Sequence, residues 1–433
     1  MSEKKSRYFP NKLIHLTDGI IDVSKRRETF VIKHTKNKTI PTPTPDPEPI
    51  EPTYIETEIA VIELDSDDQR TLIINYFNTP DEVKAFFVEN YVEGKKYEVR
   101  FGKNVPQLFV LNPAWLAGFG GIRKFTAYSG LYGLGVQTFA AATNLKEVYT
   151  ENIPFGYVKD DMIYSQTSSL FGGCSSLEKV TILGDSQHKY QSYWLQPGTV
   201  FGGCSSLKEV RIEFPMDVIY TGFAGVPSLE TLTIKNVIHL NTDVFANCTA
   251  LKTAHIEADM DAITAGCFSG CTSLETLTGN LFTRMTQGIN NDAFKNCSSL
   301  VFNDLNLDFN STSVSSNYVG ENSFKNCEGI TSLTISSVAS DMLIHDNAFD
   351  GCSNMTSVTI NASGILHLAE KAFANCTSLR TVVLNASGGY SFDTRYDMFD
   401  GCDNIEITIN HIDETHLPGG PWGATNATII WND

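Results

Sequence analysis

The sequence predicts a solenoid of class α+β: about twelve short units with parallel strands, preceded by a small α+β unit and an N-terminal arm. Three observations predict it. One phrase recurs: Phe, two residues, Cys, two residues, Leu, two residues, Val, one residue, Ile. It reads Phe171-Cys174-Leu177-Val180-Ile182, then Phe201-Cys204-Leu207-Val210-Ile212. The leading Phe returns at 139, 171, 201, 223, 245, 268, 294, 324, 349, 373 and 399, at steps of 22 to 32 residues, after a degenerate copy Leu116-Phe119-Ile122-Phe125. Repeats of this length are too small to bury their own apolar face and must stack on their neighbours. Thirdly, the residue before each repeated Cys is Gly (173, 203, 270, 351, 401) or Asn (247, 296, 326, 375). Both tolerate positive φ, so a left-handed corner belongs there.

Within a unit, Leu-x-x-Val-x-Ile supplies a short strand. The residue between Val and Ile faces outward and is Thr181, Arg211, Thr233, His255, Thr278, Thr334 or Thr359. Thr is β-branched and suits strand surface. A stack of about twelve rungs at ~4.8 Å each is ~55 Å long. Nine of the ten cysteines (174, 204, 248, 271, 297, 327, 352, 376, 402) occupy one slot, and Cys267 stands beside Phe268. Val226 and Ala142 fill that slot elsewhere, so packing explains the cysteines better than bonding. Neighbouring rungs nevertheless lie within the Cα range that a disulfide accepts.

The boundaries follow composition. Residues 1–40 are a basic arm with ten Lys/Arg against four Asp/Glu, whereas the remaining 393 residues hold 22 against 46. Six prolines between Pro41 and Pro52 favour an extended spacer, with polyproline II rising ~3.1 Å per residue. Residues 53–112 read as a small α+β unit, with strands at Ile59–Leu64, Thr71–Phe77 and Tyr97–Phe101. Its helix starts at the cap Thr79-Pro80-Asp81-Glu82 and runs to about Tyr91. This unit is expected to cover the open end of the solenoid, which occupies 113–411 and is followed by a C-terminal cap, 412–433. An acidic body does not bind nucleic acid. No run of about 18 apolar residues spans a membrane, and the N-terminus lacks the apolar core of a signal peptide.

The phrase Leu-x-x-Val-x-Ile, then Ile-x-x-x-Ala-Phe-x-x-Cys, is similar to the BspA-like (treponemal-type) leucine-rich repeat over roughly 300 of the 433 residues. The ending Gly420-Pro421-Trp422-Gly423-Ala424-Thr425-Asn426-Ala427-Thr428-Ile429-Ile430-Trp431 also resembles the close of such arrays. The resemblance implies a terminal strand over the last rung. It further implies a non-enzymatic bacterial surface protein engaged in adhesion, or a phage structural protein. The copy at Phe294 departs from the pattern after Leu300, and the last copy is one residue short after Ile405.

The sequence offers no catalytic, metal or cofactor constellation. It lacks Gly-x-Ser-x-Gly, a phosphate loop, His-Glu-x-x-His and a CxxC pair. Nine histidines share no cluster; His239 and His367 lie on non-adjacent repeats. His255-Ile256-Glu257 and Asp259-Met260-Asp261 are read as solvated. A glycan hydrolase would need paired carboxylates in a cleft.

Binding candidates sit in the stretched repeats, because insertions emerge as loops on one face. One insertion carries Tyr149, Phe155, Tyr157 and Tyr164, and the next Tyr190, Tyr193 and Trp194. Tyr and Trp suit recognition, although the same rings can pack on the adjacent convex surface. The partner-binding residues are therefore Tyr157, Tyr164, Tyr190, Tyr193 and Trp194, and the arm would anchor through Lys4, Lys5, Arg7, Lys25, Arg26 and Arg27. The leading expectation is a virion component, of fibre or decoration type. Its arm would hold a capsid or tail protein, its solenoid would meet a host surface protein or glycan, and it would be a possible homo-oligomer. The alternative is a bacterial cell-surface adhesin for host proteins or glycans.

Overall fold

The computed structural model describes the strands Ile14–Leu16 and Gly19–Ile21 and residues 55–432. Within 55–432 it leaves out 110, 112–113, 132, 135–136, 154–156, 160–161, 165–168, 185–193, 196–199, 220–221, 284, 310–315, 339–340, 393–396 and 412–419. The six basic arm residues and the proline run lie outside the described residues.

Successive repeats lay down parallel strands in register, each Val-x-Ile segment beside the next. Lys179–Leu183 pairs with Glu147–Glu151 on one side and Glu209–Ile219 on the other. The sheet continues through Thr231–Leu240 and Thr253–Ala258 to Thr276–Gly279. At its start it incorporates the small unit. Lys96–Phe101 runs parallel to Ile122–Ala127, while Ile59–Leu64 and Arg70–Phe77 add antiparallel strands outside it. The helix Pro80–Asn90 begins at Thr79, whose hydroxyl accepts the Glu82 amide. Its Phe87 is buried against Tyr97 and Phe119, ring centroids 5.3 and 5.6 Å away. The helix thereby packs on the first rung of the array.

The core is a spine of identical rings. From Phe139 to Phe399 each repeat Phe lies 5.0 to 5.7 Å from the next, and the pairs from Phe268 onward are within 13° of parallel. A second column runs beside it. Each ladder cysteine donates its S–H to the main-chain carbonyl of the preceding repeat's Phe, from Cys174 on Phe139 (2.9 Å) to Cys402 on Phe373 (3.3 Å). All ten cysteines are buried and free. The thiol therefore does what a small hydrophobe in this slot cannot: it satisfies a carbonyl one rung away. Two open pockets, of about 260 and 280 Å³, include in their lining Ala142 and Val226, the substitutes in the cysteine slot, the second together with Cys204. At the far end Trp422 is buried and its ring lies 5.0 Å from Phe392, and Thr428–Asn432 runs parallel to Glu406–Asn410.

The expected left-handed corners are present. Gly173, Gly203, Gly270, Gly351 and Gly401 and Asn247, Asn296, Asn326 and Asn375 all have φ between 56° and 79°. At three of them the side-chain oxygen of an Asn on one rung lies over the Gly of the next, whereas Asn326 follows Asn296 and donates its side-chain N–H to it at 2.8 Å. A Cβ at Gly270, Gly351 or Gly401 would lie 2.5 to 2.8 Å from the side-chain oxygen of Asn247, Asn326 or Asn375. Sequence reasoning missed a second left-handed column two residues before the Phe. It holds Gln137, Ser169, Asp243, Gly266, Asp292, Asn322, Asn347 and Lys371.

The departure after Leu300 has a structural consequence. Two extra residues precede the strand Leu305–Phe309, which pairs only with Ser332–Ser337. The long sheet therefore ends at Thr276–Gly279, and a second, six-stranded sheet begins at Leu305–Phe309. Phe282 and Phe302 fill the split, edge to face at 5.6 Å. On the opposite side the short strands Ala262–Ile263, Gly288–Ile289 and Ser316–Val319 pair across the same interval.

Burial raises every thiol, Cys174, Cys204, Cys248, Cys267 and Cys297 to about 12. The native chain at pH 8 is expected to leave all ten cysteines unmodified by iodoacetamide, and denaturant to expose all ten, as counted by intact-mass spectrometry. Rapid native labelling, or fewer than ten free thiols after unfolding, would contradict the ladder.

Candidate binding face

The outward surface of the long sheet is ordered column by column. The residue between Val and Ile forms a column that reads, in register, Arg100, Thr126, Tyr149, Thr181, Arg211, Thr233, His255 and Thr278. Long and short side chains alternate along it. Thr126 and Thr181, flanked by Arg100, Tyr149 and Arg211, are buried, whereas the expectation placed Thr181 on exposed strand surface.

Two flanking columns alternate in charge. The first reads Glu98, Lys124, Glu147, Lys179, Glu209, with Lys124–Glu147 at 3.0 Å and Lys179–Glu209 at 2.9 Å. The second reads Lys146, Glu178, Lys208, Glu230, Lys252, Glu275, joined rung to rung by main-chain hydrogen bonds. In it Lys146 meets Glu178 at 3.3 Å and Lys252 meets Glu230 at 3.0 Å. Like charges directly opposite one another repel, so a stack of identical repeats can carry a charged column only by alternating sign.

The small N-terminal unit joins this ladder through Asp68, 2.9 Å from Lys96 and 3.2 Å from Lys146. Burial works against the Asp68 carboxylate, but hydrogen bonds from Lys96 and Lys146 hold it below the usual range. The Lys252 hydrogen bond lowers Glu230 likewise. Glu98 is fully buried and held by Arg70 at 2.6 and 3.0 Å and by the Thr126 hydroxyl at 2.6 Å.

At the N-terminal end of this face lies an aromatic corner. Tyr128 and Tyr149 are half-buried with ring centroids 5.5 Å apart, and Arg100 and Lys103 lie 4.8 and 5.5 Å from the Tyr128 ring. Tyr149 donates its hydroxyl to Glu151 at 3.2 Å, and burial, then the Glu151 charge, pushes its phenol up to about 12. Tyr149 thus belongs to a strand and not to the insertion where the sequence pattern placed it. Tyr128 was missed because nothing in its own repeat marks it; only the stacking of adjacent rungs brings it beside Tyr149.

The two stretched repeats follow consecutive strands, Glu147–Glu151 and Lys179–Leu183. The first forms a hairpin, Tyr157–Lys159 against Met162–Tyr164, in which Tyr157 and Tyr164 are cross-strand partners. The second carries the strand Trp194–Leu195, which pairs with the far end of Glu209–Ile219, Trp194 opposite Val218. Tyr190 and Tyr193 lie outside the described residues.

Beyond the split the same face changes character. One column reads Asn306, Thr334, Thr359, Val383, Thr408, Ile430, and the next Asp308, Ser336, Asn361, Asn385, Asn410, Asn432. Among the described residues, no group of three His, Cys, Asp or Glu side chains is placed to hold a metal ion.

Register, spine and corners together match a known repeat. The family model described as BspA type leucine-rich repeat region (6 copies) matches residues 197–301 and 299–415. The chain belongs to this family. Its fold is similar to a leucine-rich repeat protein from Bacteroides ovatus, at 16% identity, covering 79% of this chain and 97% of that one with a TM-score of 0.30. It is likewise similar to a leucine-rich cell surface protein from Faecalibacterium prausnitzii, at 17% identity, 79% and 94% coverage and a TM-score of 0.28. A third, from Eubacterium ventriosum, shows 15% identity, 76% and 96% coverage and a TM-score of 0.27. No curated protein matches the chain.

The charge ladders make a direct prediction. Lys179→Glu sets a third carboxylate between Glu147 and Glu209 and is expected to cost about 1 kcal/mol, since exposed pairs are individually weak. Thermal unfolding should show the loss at low salt and partial recovery at 1 M NaCl. Lys179→Met should lose less. Equal effects of the two, or no salt recovery, would contradict the ladder.

Proposed function

We propose that this protein is a non-enzymatic bacterial cell-surface adhesin that binds a protein partner through the aromatic corner of its long sheet. The observation that carries the reading is the pair of half-buried rings Tyr128 and Tyr149 with Lys103 at one end of the long sheet, where the Tyr149 strand and the next one each lead into an insertion. Aromatic and Arg side chains dominate binding energy at protein interfaces because they bury large area with few torsions to freeze. Tyr157, Tyr164 and Trp194 sit on short paired strands rather than on unpaired chain, which lowers the cost of ordering them on binding. Family membership supports surface binding. The virion reading draws on the arm and spacer, which lie outside the described residues, and gains no comparable support.

The test uses the full chain, fluorescently labelled, titrated onto host epithelial cells and read by flow cytometry. Combined Tyr157→Ala, Tyr164→Ala and Trp194→Ala substitutions are expected to weaken binding at least tenfold with an unchanged circular dichroism spectrum. Adding Tyr190→Ala and Tyr193→Ala should weaken it further. Undiminished binding by the folded five-residue variant would remove the insertions from the contact, and undiminished binding by a folded Tyr128→Ala, Tyr149→Ala variant would overturn the aromatic corner. Cell fractionation that finds the protein only in the cytosol would overturn the surface assignment.

A further inference from the structure

The half of the face beyond the split differs in kind from the half that holds the aromatic corner. Before the split, charges of alternating sign pair with one another. After it, the two central columns consist of Thr, Ser, Asn, Val and Ile, and Asp308 at the first rung is their one charge.

Within the second column the amides form a chain. The Asn385 side-chain N–H donates to the Asn361 oxygen at 2.7 Å, Asn410 donates to Asn385, and Asn432 donates to Asn410 at 2.7 Å. This fixes every amide in one orientation, nitrogen toward the preceding rung. An Asn side chain has two N–H donors and two oxygen lone pairs. Asn385 and Asn410 each spend one of both along the chain, and each keeps one N–H and one lone pair. The result is a row of oriented donors and acceptors at strand spacing, ~4.8 Å. Beside it runs a row of hydroxyls at Thr334, Thr359 and Thr408, interrupted by the apolar patches Val383 and Ile430, the latter 37% exposed.

We propose that this half-face is a second binding surface, whose ligand is a neutral polysaccharide lying across the strands along the solenoid axis. A sugar chain is complementary to these columns: its repeated hydroxyls both donate and accept, with C–H faces between them. Charge selects against other polymers. Among the described residues, Asp304 and Glu406 lie beside these columns against the one cation Arg380, and Asp308 lies within them, on an acidic body, which repels polyanions. A cationic peptide would be drawn to those carboxylates and would gain nothing from oriented neutral amides.

The experiment is affinity electrophoresis of the full chain through gels containing a soluble neutral β-glucan, a neutral mannan, or polygalacturonate as the anionic control. Retardation by at least one neutral polymer and none by polygalacturonate is expected. Asn385→Leu with Thr359→Ala should weaken the neutral affinity at least tenfold, provided cooperative unfolding is retained. Thr233→Ala, on the charged half of the face, should leave it unchanged. Where the double variant fails to fold, Asn410→Asp, which keeps the shape and adds one charge, serves as the reading variant and should also weaken binding. Migration unaffected by both neutral polymers overturns the proposal. So does equal retention of a folded variant, or retention by polygalacturonate as strong as by the neutral polymers. The five aromatic substitutions of the N-terminal half leave this surface intact, so their failure and the failure of this proposal are distinguishable.

Discussion

Everything in this molecule depends on one constraint: a repeat of 22 to 32 residues can be buried only by a copy of itself. The contact that meets it is the stack of Phe rings at 5.0 to 5.7 Å with the cysteine thiols bridging beside it. Each rung lends its neighbour a ring face and a donor to its carbonyl. Corners, strands and outward columns then follow, because identical cores in register set identical surfaces in register. A column of like charges would repel at every rung, so selection on the surface is selection on alternation. The same logic makes Asn chains favourable, since an amide donates on one side and accepts on the other.

The split after Thr276–Gly279 shows which contact dominates. There the strand ladder of one side is interrupted, yet Phe268, Phe294 and Phe324 continue at 5.4 and 5.1 Å without a break. Continuity of the array survives the loss of one sheet because the spine and the short strands of the opposite side persist. The split also divides the outward face into a zwitterionic half and a neutral half. One scaffold thereby presents two surfaces of different chemistry.

Much of the fold was legible because its signals recur at fixed offsets: the Phe, the Cys slot, the Gly or Asn before it, the strand of Leu-x-x-Val-x-Ile. The second corner column was not, since Gln137, Ser169 and Lys371 share it with Asp, Asn and Gly and no residue type marks it. The candidate sites were less legible for a different reason. Tyr128 meets Tyr149 only across adjacent rungs, and Asn361 meets Asn385 only through strand register; each pair lies more than twenty residues apart in sequence. Tyr149 looked like part of an insertion because it precedes one. The irregular copy after Leu300 was visible as a break in pattern, but that it would split a sheet depended on where two extra residues sent the next strand.

The central claim is that the aromatic spine, rather than the sheet, couples the two halves of the array at the split. Equilibrium urea unfolding of the Phe294→Ala chain, followed by fluorescence and by hydrogen exchange on both sides of residue 294, tests it most directly. The account predicts that the native chain unfolds with the rungs flanking residue 294 coupled. The variant is predicted to be destabilised by about 3–5 kcal/mol and to unfold in two separated steps, whereas Phe349→Ala, placed where sheets are continuous on both sides, remains coupled. Phe294→Ala unfolding as a single transition, with the same loss of protection on both sides as Phe349→Ala, would contradict it.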